Sequence, residues 1–113
     1  MQRIYRLTLN GSFRYIYRKR DVKTSDLLIL YKVPAKNLKV GISVGKKVGN
    51  SVCRSKVKRR ISESFRLLIP SIKQEFNFVV VARSQCKDAS YTQINESLVN
   101  LLEKSGVLKE SKN

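Results

Sequence analysis

The chain contains no histidine and no tryptophan, and only two cysteines, two prolines and 8 acidic residues among its 113. Each scarcity removes a class of function. Without histidine there is no imidazole general base and no Ser/His or Cys/His nucleophile pair. Cys53 and Cys86 form no Cys-x-x-Cys element, so a four-ligand zinc site lacks its parts. A disulfide between them is open in principle, but an intracellular protein keeps such thiols reduced, and both read as small hydrophobic side chains. No P-loop occurs, nor any paired-carboxylate motif of the kind that holds magnesium. Asp21 and Asp26 lie in a basic loop region and read as turn residues. The longest apolar runs, Leu27 to Tyr31 and Phe78 to Ala82, fall far short of the roughly 20 residues that cross a bilayer.

What the chain does have is positive charge. It carries 24 Lys and Arg and a formal net charge of +16. Residues 1–60 hold 17 of these cations against 2 acids, whereas residues 61–113 hold 7 against 6. The first half therefore reads as a binding surface for a polyanion and the second as scaffold.

The charge concentrates between Gly45 and Arg66, GKKVGNSVCRSKVKRRISESFR, where Glu63 is the only acid. Its periodicity is helical. At about 100° per residue, Val57, Ile61, Phe65 and Leu68 fall within about 40° of Ile61 and form one apolar stripe. Lys56, Arg59, Ser62 and Arg66 project from the other side. Arg54 and Lys58 lie near the apolar azimuth, earlier in the helix, and are expected at its N-terminal rim. Gly49-Asn50-Ser51 supplies the turn and the cap, and a helix start offers free N–H groups to an anion. The bland alternative is a solvated amphipathic helix. The number of cations, their single sign and the glycine-punctuated turn favour a nucleic-acid surface.

The remaining chain reads as a simple order of elements. A short helix from Asn10 or Ser12 to about Arg18 carries Leu9, Phe13, Ile16 and Tyr17 on one stripe. Residues 21–25 read as a loop. A strand from about Leu27 to Val33 is apolar on both faces, so both must be covered or one must bind a partner. Pro34 to Asn37 turns the chain into a strand from Lys39 to Val44, whose second face is Lys39, Gly41, Ser43 and Gly45. Pro70 ends the basic helix near Ile69. Phe76 to Arg83 reads as a buried strand, and Ser90-x-x-Gln93 as a capping box opening a helix with Tyr91, Ile94, Leu98, Leu101 and Leu102 on its apolar face and Gly106 at its stop. The simplest packing is an α+β two-layer sandwich, a small mainly antiparallel sheet under three helices, with residues 1–113 as a single domain and 108–113 as a frayed tail.

The motifs also resemble a known family. Lys46-Lys47-Val48-Gly49-Asn50-Ser51-Val52 followed by Arg54-Ser55-Lys56-Val57-Lys58-Arg59 is similar to the signature of the protein subunit of bacterial ribonuclease P. The resemblance runs through Val40-Gly41-Ile42-Ser43-Val44, Phe78 to Arg83, the early Phe13 and the late Ser97-Leu98, Leu101-Leu102, Lys104 and Gly106, in order along nearly the whole chain. Two positions depart from it. The family's central Arg-Asn-Arg reads Arg54-Ser55-Lys56, in which lysine keeps the charge without the planar fork and serine lacks the amide's paired donor and acceptor. A basic position later in the helix is Ser62.

The resemblance implies a left-handed βαβ crossover through the basic helix, as in ribosomal-protein-like folds, where handedness rules alone favour the right-handed form. It also implies a short extra strand in the first hairpin region. It implies an endoribonuclease whose catalyst is the RNA subunit, using magnesium bound by that RNA, so that the protein holds no metal, cofactor or catalytic residue of its own. The protein then assists removal of the 5′ leader from precursor tRNA. Lys46, Lys47, Asn50, Arg54, Ser55, Lys56, Lys58 and Arg59, with Arg60 and Arg66, are expected to grip the ribozyme RNA. Phe13, Tyr17, Ile29 and Tyr31 match the family's cleft for the single-stranded leader. The expected partners are ribonuclease P RNA and precursor tRNA, with no membrane and no protein partner required.

A ribosomal or other rRNA-binding protein shares the charge, size and layout and is the main rival. A self-sufficient nuclease is disfavoured by the missing acid–base groups, and a membrane-active cationic protein by the strands and the capped final helix. The first 20 residues share an arginine-containing, acid-free composition with transit peptides, but Phe13, Ile16 and Tyr17 at helical spacing run directly into the fold. The expected location is the bacterial cytoplasm.

Overall fold

A computed structural model of the chain describes residues 15–18 and 21–109. Residues 15–18 are helical, in agreement with the expected first helix. Its expected caps Asn10 and Ser12, with Leu9 and Phe13, lie outside the described residues.

Four strands form one mixed sheet: β1 (Val22–Thr24), β2 (Leu28–Pro34), β3 (Lys39–Val44) and β4 (Phe76–Ala82), in the spatial order β1-β2-β4-β3. The pairs β1·β2 and β2·β4 are antiparallel, and β3·β4 is parallel. A parallel pair needs a crossover, and the helix α1 (Ser51–Leu68) provides it. The second helix, α2 (Tyr91–Lys104), follows β4 after a turn at Ser84–Asp88.

One correction concerns residues 21–25, read from sequence as a loop. Val22–Thr24 pairs with Ile29–Tyr31 as strand β1. All three of its residues are exposed, so the strand has no apolar alternation by which to announce itself. The turn that follows is built on Ser25, whose Oγ accepts from the N–H of Leu28 at 3.0 Å.

The sheet has two unlike faces. Leu28 and Leu30 of β2, Val40 of β3, and Phe78, Val80 and Ala82 of β4 join Val57, Ile61 and Phe65 of α1 and Ile94, Leu98, Leu101 and Leu102 of α2 in the main core. The stripe read from the sequence of α1 is therefore the buried one, with Leu68 half-buried at its end. The opposite face carries a smaller cluster, in which Ile16 packs with Val33 and Val79 beside Tyr31 and Val81. The doubly apolar β2 is explained by this arrangement: one face fills the core, and the other carries the cluster around Ile16.

The helix ends are as the sequence indicates. Ser90 and Gln93 form a reciprocal capping box on α2. At its far end Gly106 takes φ +69°, Gly106 N–H donates to Glu103 at 3.0 Å and Val107 N–H to Leu102 at 3.3 Å, a Schellman closure in which Val107 is buried against the core. Leu108 and Lys109, assigned from sequence to a frayed tail, are tied down. Leu108 bridges Ile72, and Lys109 N–H donates to the Ser71 carbonyl at 2.8 Å. The apolar Val107-Leu108 pair has a place to dock that periodicity does not reveal.

Candidate nucleic-acid interface

The basic stretch is held by a few short-range constraints. Lys46–Val48 forms a 3-10 turn in which Val48 is buried while Lys46 and Lys47 face solvent. Asn50 then caps α1, accepting from Cys53 N–H through its side chain at 2.9 Å and from Arg54 N–H through its carbonyl at 2.9 Å. No acid lies in the first turn, so the positive end of the helix and the cations beside it reinforce one another.

The first two turns of α1 divide the cations between two grooves. On the β3 side, Arg54, Ser55 and Lys58 line a 410 Å³ groove with Ser51 and Ile42–Val44. This is the rim position expected for Arg54 and Lys58. The Arg54 Nε is buried there without a hydrogen-bond partner. On the other side, Asn50, Lys56 and Arg60 line a 320 Å³ groove with Cys53, Lys87 and Asp88. Arg59 is exposed on the ridge.

Two residues of the expected set are engaged elsewhere. Arg60 donates from its guanidinium to the Ala89 carbonyl at 3.0 Å, tying α1 to the turn before α2. Arg66 lies about 18 Å beyond Arg54 along the helix axis and pairs with Glu63. The pairing lowers the carboxyl pKa of Glu63 through the Arg66 hydrogen bond and raises that of Arg66 in turn. Its charge is therefore partly spent within the helix. Ser62, the other departure from the family pattern, is half-buried.

The second face of the sheet forms the candidate cleft. Tyr17 meets Tyr31 edge to face, with ring centroids 4.7 Å apart and planes inclined at 66°. Burial raises the Tyr17 phenol pKa, outweighing the opposite influence of Ser43. Ile29 is brought beside Val81 by the β2·β4 register, and Val81 beside Ser43 by the β3·β4 register. Tyr17, Ile29 and Tyr31 thus share one face; Phe13 lies outside the described residues.

The two surfaces adjoin. A 640 Å³ groove is lined by Ile29, Ser43 and Val81 at the sheet and by Lys46, Lys47 and Arg83 at its rim. The loop lysines, grouped by sequence with the helix cations, border the aromatic face as well. Arg83 is a residue that sequence reasoning treated only as a strand end. It is half-buried, donates to the Ser25 carbonyl at 2.9 Å and shares the groove with Ser84 and Gln85. The available signal was topological: a parallel β3·β4 pair brings the residues just after both strands to the same edge of the sheet.

Among the described residues no three His, Cys, Asp or Glu side chains gather where a metal ion could sit, and no helix is long and apolar enough to cross a membrane. Of the acids near the cleft, Asp21 lies 3.8 Å from Lys32 Nζ. Both cysteines are free; Cys53 is half-buried, and burial raises the Cys86 thiol to about 11.

A family model described as Ribonuclease P matches residues 1–106. The ribonuclease P protein component of Clostridium novyi is 45% identical over 111 residues, covering 95% of this chain and 98% of the relative. That of Alkaliphilus oremlandii is 43% identical over 110 residues, with 96% of each covered. Among solved structures, the Staphylococcus aureus RNase P protein is 34% identical and superposes with a TM-score of 0.85 over 93% of this chain and 98% of that one. The Thermotoga maritima RNase P protein is 26% identical, with a TM-score of 0.79 over 88% and 96%.

Proposed function

The chain belongs to the ribonuclease P protein family, and on that premise we propose how its two surfaces divide the work. It is the non-catalytic protein component of the bacterial enzyme and assists the RNA subunit in removing the 5′ leader from precursor tRNA. The ridge at the start of α1 grips the ribozyme RNA through Lys46, Lys47, Asn50, Arg54, Ser55, Lys56, Lys58 and Arg59, while Arg60 and Arg66 are engaged by Ala89 and Glu63 and contribute less. The sheet face with Phe13, Tyr17, Ile29 and Tyr31 receives the single-stranded leader. The observation that carries this division is the contrast between the two faces: cations without acids at the helix start, and an open aromatic face with a basic rim on the sheet.

The physical roles follow from the chemistry of each face. Lysine and arginine neutralise phosphates and release counterions, which allows closely packed RNA helices to form at lower magnesium. Magnesium is held by the RNA and supplies the hydrolytic chemistry there; among the described residues of the protein no three His, Cys, Asp or Glu side chains gather where it could sit. On the sheet, exposed rings stack on unpaired bases without reading their identity, which suits leaders of varied sequence. Such a protein works beside its RNA in the bacterial cytoplasm.

The test is reconstitution with a bacterial ribonuclease P RNA. Leader removal at low magnesium is expected from the pair and from neither the protein alone nor, under the same conditions, the RNA alone. Alanine at Arg54, Lys58 and Arg59 is expected to weaken binding of the RNA subunit. Alanine at Phe13 and Tyr17 is expected to weaken binding of leader-bearing precursor while sparing mature tRNA. The same defect from both sets would overturn the division.

A further inference from the structure

The 320 Å³ groove on the flank of α1 away from β3 is bordered from two directions. Helix α1 contributes Lys56 and Arg60, one turn and about 6 Å apart along its axis, with Asn50 at its start. The opposite wall is Lys87 with Asp88, from the turn Ser84–Asp88 that leads into α2. Three cations therefore meet one acid. Lys56, Lys87 and Asp88 are all exposed, and none of them takes part in the ion pairs of the described residues, which join Lys32 to Asp21 and Arg66 to Glu63.

The wall that carries Lys87 is held in place. Cys86 on one side of the exposed pair and Ala89 on the other are both buried in the main core. Cys86 N–H donates to the Arg83 carbonyl at 2.9 Å and Ala89 N–H to the Cys86 carbonyl at 3.1 Å, so the turn is anchored at both ends. Arg60 then fastens it to α1 by donating to the Ala89 carbonyl at 3.0 Å. Lys87 is thereby presented at a fixed place across from Lys56, although the two are distant in sequence. Cations on two elements tied together raise the local potential for phosphate without a loop having to be ordered on binding.

We propose that Lys87 is a contact of the ribozyme RNA, extending the grip of α1 across this groove to the turn before α2. The inference rests on the assignment of the α1 ridge to the ribozyme and deepens it. Two observations select the occupant. The groove is continuous with the ridge, since Asn50 and Lys56 belong to both. Among the described residues it shares no lining side chain with the groove at the aromatic face, and none that lines it is aromatic. It offers phosphates a positive wall but gives unpaired bases nothing to stack on. That chemistry suits the backbone of a folded RNA rather than a single-stranded leader.

The experiment measures affinity for a bacterial ribonuclease P RNA between about 50 and about 200 mM salt. Lys87→Gln is expected to bind more weakly at low salt and, having lost one phosphate contact, to lose roughly threefold less affinity over that range than the wild type. Lys87→Arg, which keeps the charge, is expected to keep the salt dependence. Asp88→Asn is expected to raise affinity at low salt, because its carboxylate borders the same groove; opposite signs at adjacent positions of one turn are not what a loss of folding gives. Wild-type affinity and salt dependence in Lys87→Gln would overturn the proposal. So would wild-type binding of the RNA subunit with weaker binding of mature tRNA by the holoenzyme, which would assign the groove to the tRNA body. A loss confined to leader-bearing precursor would overturn it too, in favour of the leader. Alanine at Arg54, Lys58 and Arg59 together separates the two levels of argument. If that variant leaves ribozyme binding unchanged, the ridge assignment itself fails; if it weakens binding while Lys87→Gln does not, the ridge stands and its extension to Lys87 falls.

Discussion

The Asn50 side chain accepts a hydrogen bond from the backbone N–H of Cys53 at 2.9 Å, so a residue of the proposed RNA-binding ridge also determines where the helix of that ridge begins. The two duties can be separated by substitution. Asn50→Ala removes the cap and is expected to cost about 1 kcal/mol of stability. Asn50→Asp keeps a good cap acceptor and interacts well with the helix dipole, but places a negative charge among Lys46, Lys47 and Arg54. Urea denaturation should therefore rank the aspartate variant near wild type and the alanine variant below it. Ribozyme affinity should show the reverse loss, with the aspartate variant the weaker binder.

Gly49, one residue earlier, is required by close packing. A Cβ placed there would lie 2.9 Å from both Cβ and Sγ of Cys53, at a φ of +157°. Trimming Cys53 to alanine relieves only the sulfur contact. Gly49→Ala is expected to destabilise the protein by about 2 kcal/mol, through the overlap and the unfavourable backbone conformation together. Gly45→Ala is the control, because nothing lies within 4 Å of a Cβ at that position. Equal midpoints for the two variants in urea would refute this account of the turn.

Ser64 is the single buried polar residue among the core positions of the described chain, at 0% exposure, and its hydroxyl donates to Asn95 Oδ1 at 2.6 Å. The bond joins α1 to α2 behind the binding surface. Ser64→Ala leaves the Asn95 oxygen without this donor and is expected to cost about 1 kcal/mol, with water recovering part of the loss because Asn95 is half-buried. Asn95→Ala should cost a similar amount, and the double variant less than the sum of the two. Additive losses would mean the contact contributes nothing as a pair.

Stability should also fall in alkali through Cys86. Its thiol is 0% exposed in the core and its pKa is raised by burial to about 11, whereas an unfolded cysteine ionises near 8.5. Between those values the unfolded chain has released a proton that the folded chain retains, so the stability present below about pH 8.5 declines as pH rises towards 11. The decline is on the order of 3 kcal/mol. Cys86→Ala should flatten this part of the pH profile, even if cavity formation lowers stability at every pH. An unchanged slope in that variant would assign the alkaline loss to other groups.

The elements that sequence revealed are those whose own residues encode them. The stripe Val57, Ile61, Phe65 repeats every four residues, and Ser90 with Gln93 caps α2 from adjacent positions. What stayed hidden depends on partners distant in the chain. Val22–Thr24 is exposed throughout and becomes a strand only because Ile29–Tyr31 lies beside it. Arg83 joins the groove because β3 and β4 run parallel, and Leu108 docks because Ile72 is within reach. The cations were legible as a group, but which of them are free was not. Arg60 reaches a carbonyl 29 residues away, whereas the Glu63–Arg66 pair has the i, i+3 spacing that sequence does offer.

That pair leads to a test of how charge count converts to RNA affinity. Each phosphate neutralised contributes roughly −0.7 to −0.9 to the slope of log affinity against log salt. Lys58 is exposed beside Arg54 in the first turns of α1, and no acid lies in the first turn. Lys58→Gln is therefore expected to reduce the magnitude of that slope by roughly 0.7 to 0.9. Arg66 is bound to Glu63 at the far end of the same helix, so Arg66→Gln is expected to leave the slope nearly unchanged. Glu63→Gln supplies the complementary arm. If Arg66 is silent only because Glu63 holds it, releasing the guanidinium should increase affinity at low salt. If Arg66 is silent because RNA does not reach the end of α1, releasing it should change nothing. A loss for Arg66→Gln as large as that for Lys58→Gln would show instead that RNA displaces Glu63 and that the ridge extends along the full length of the helix.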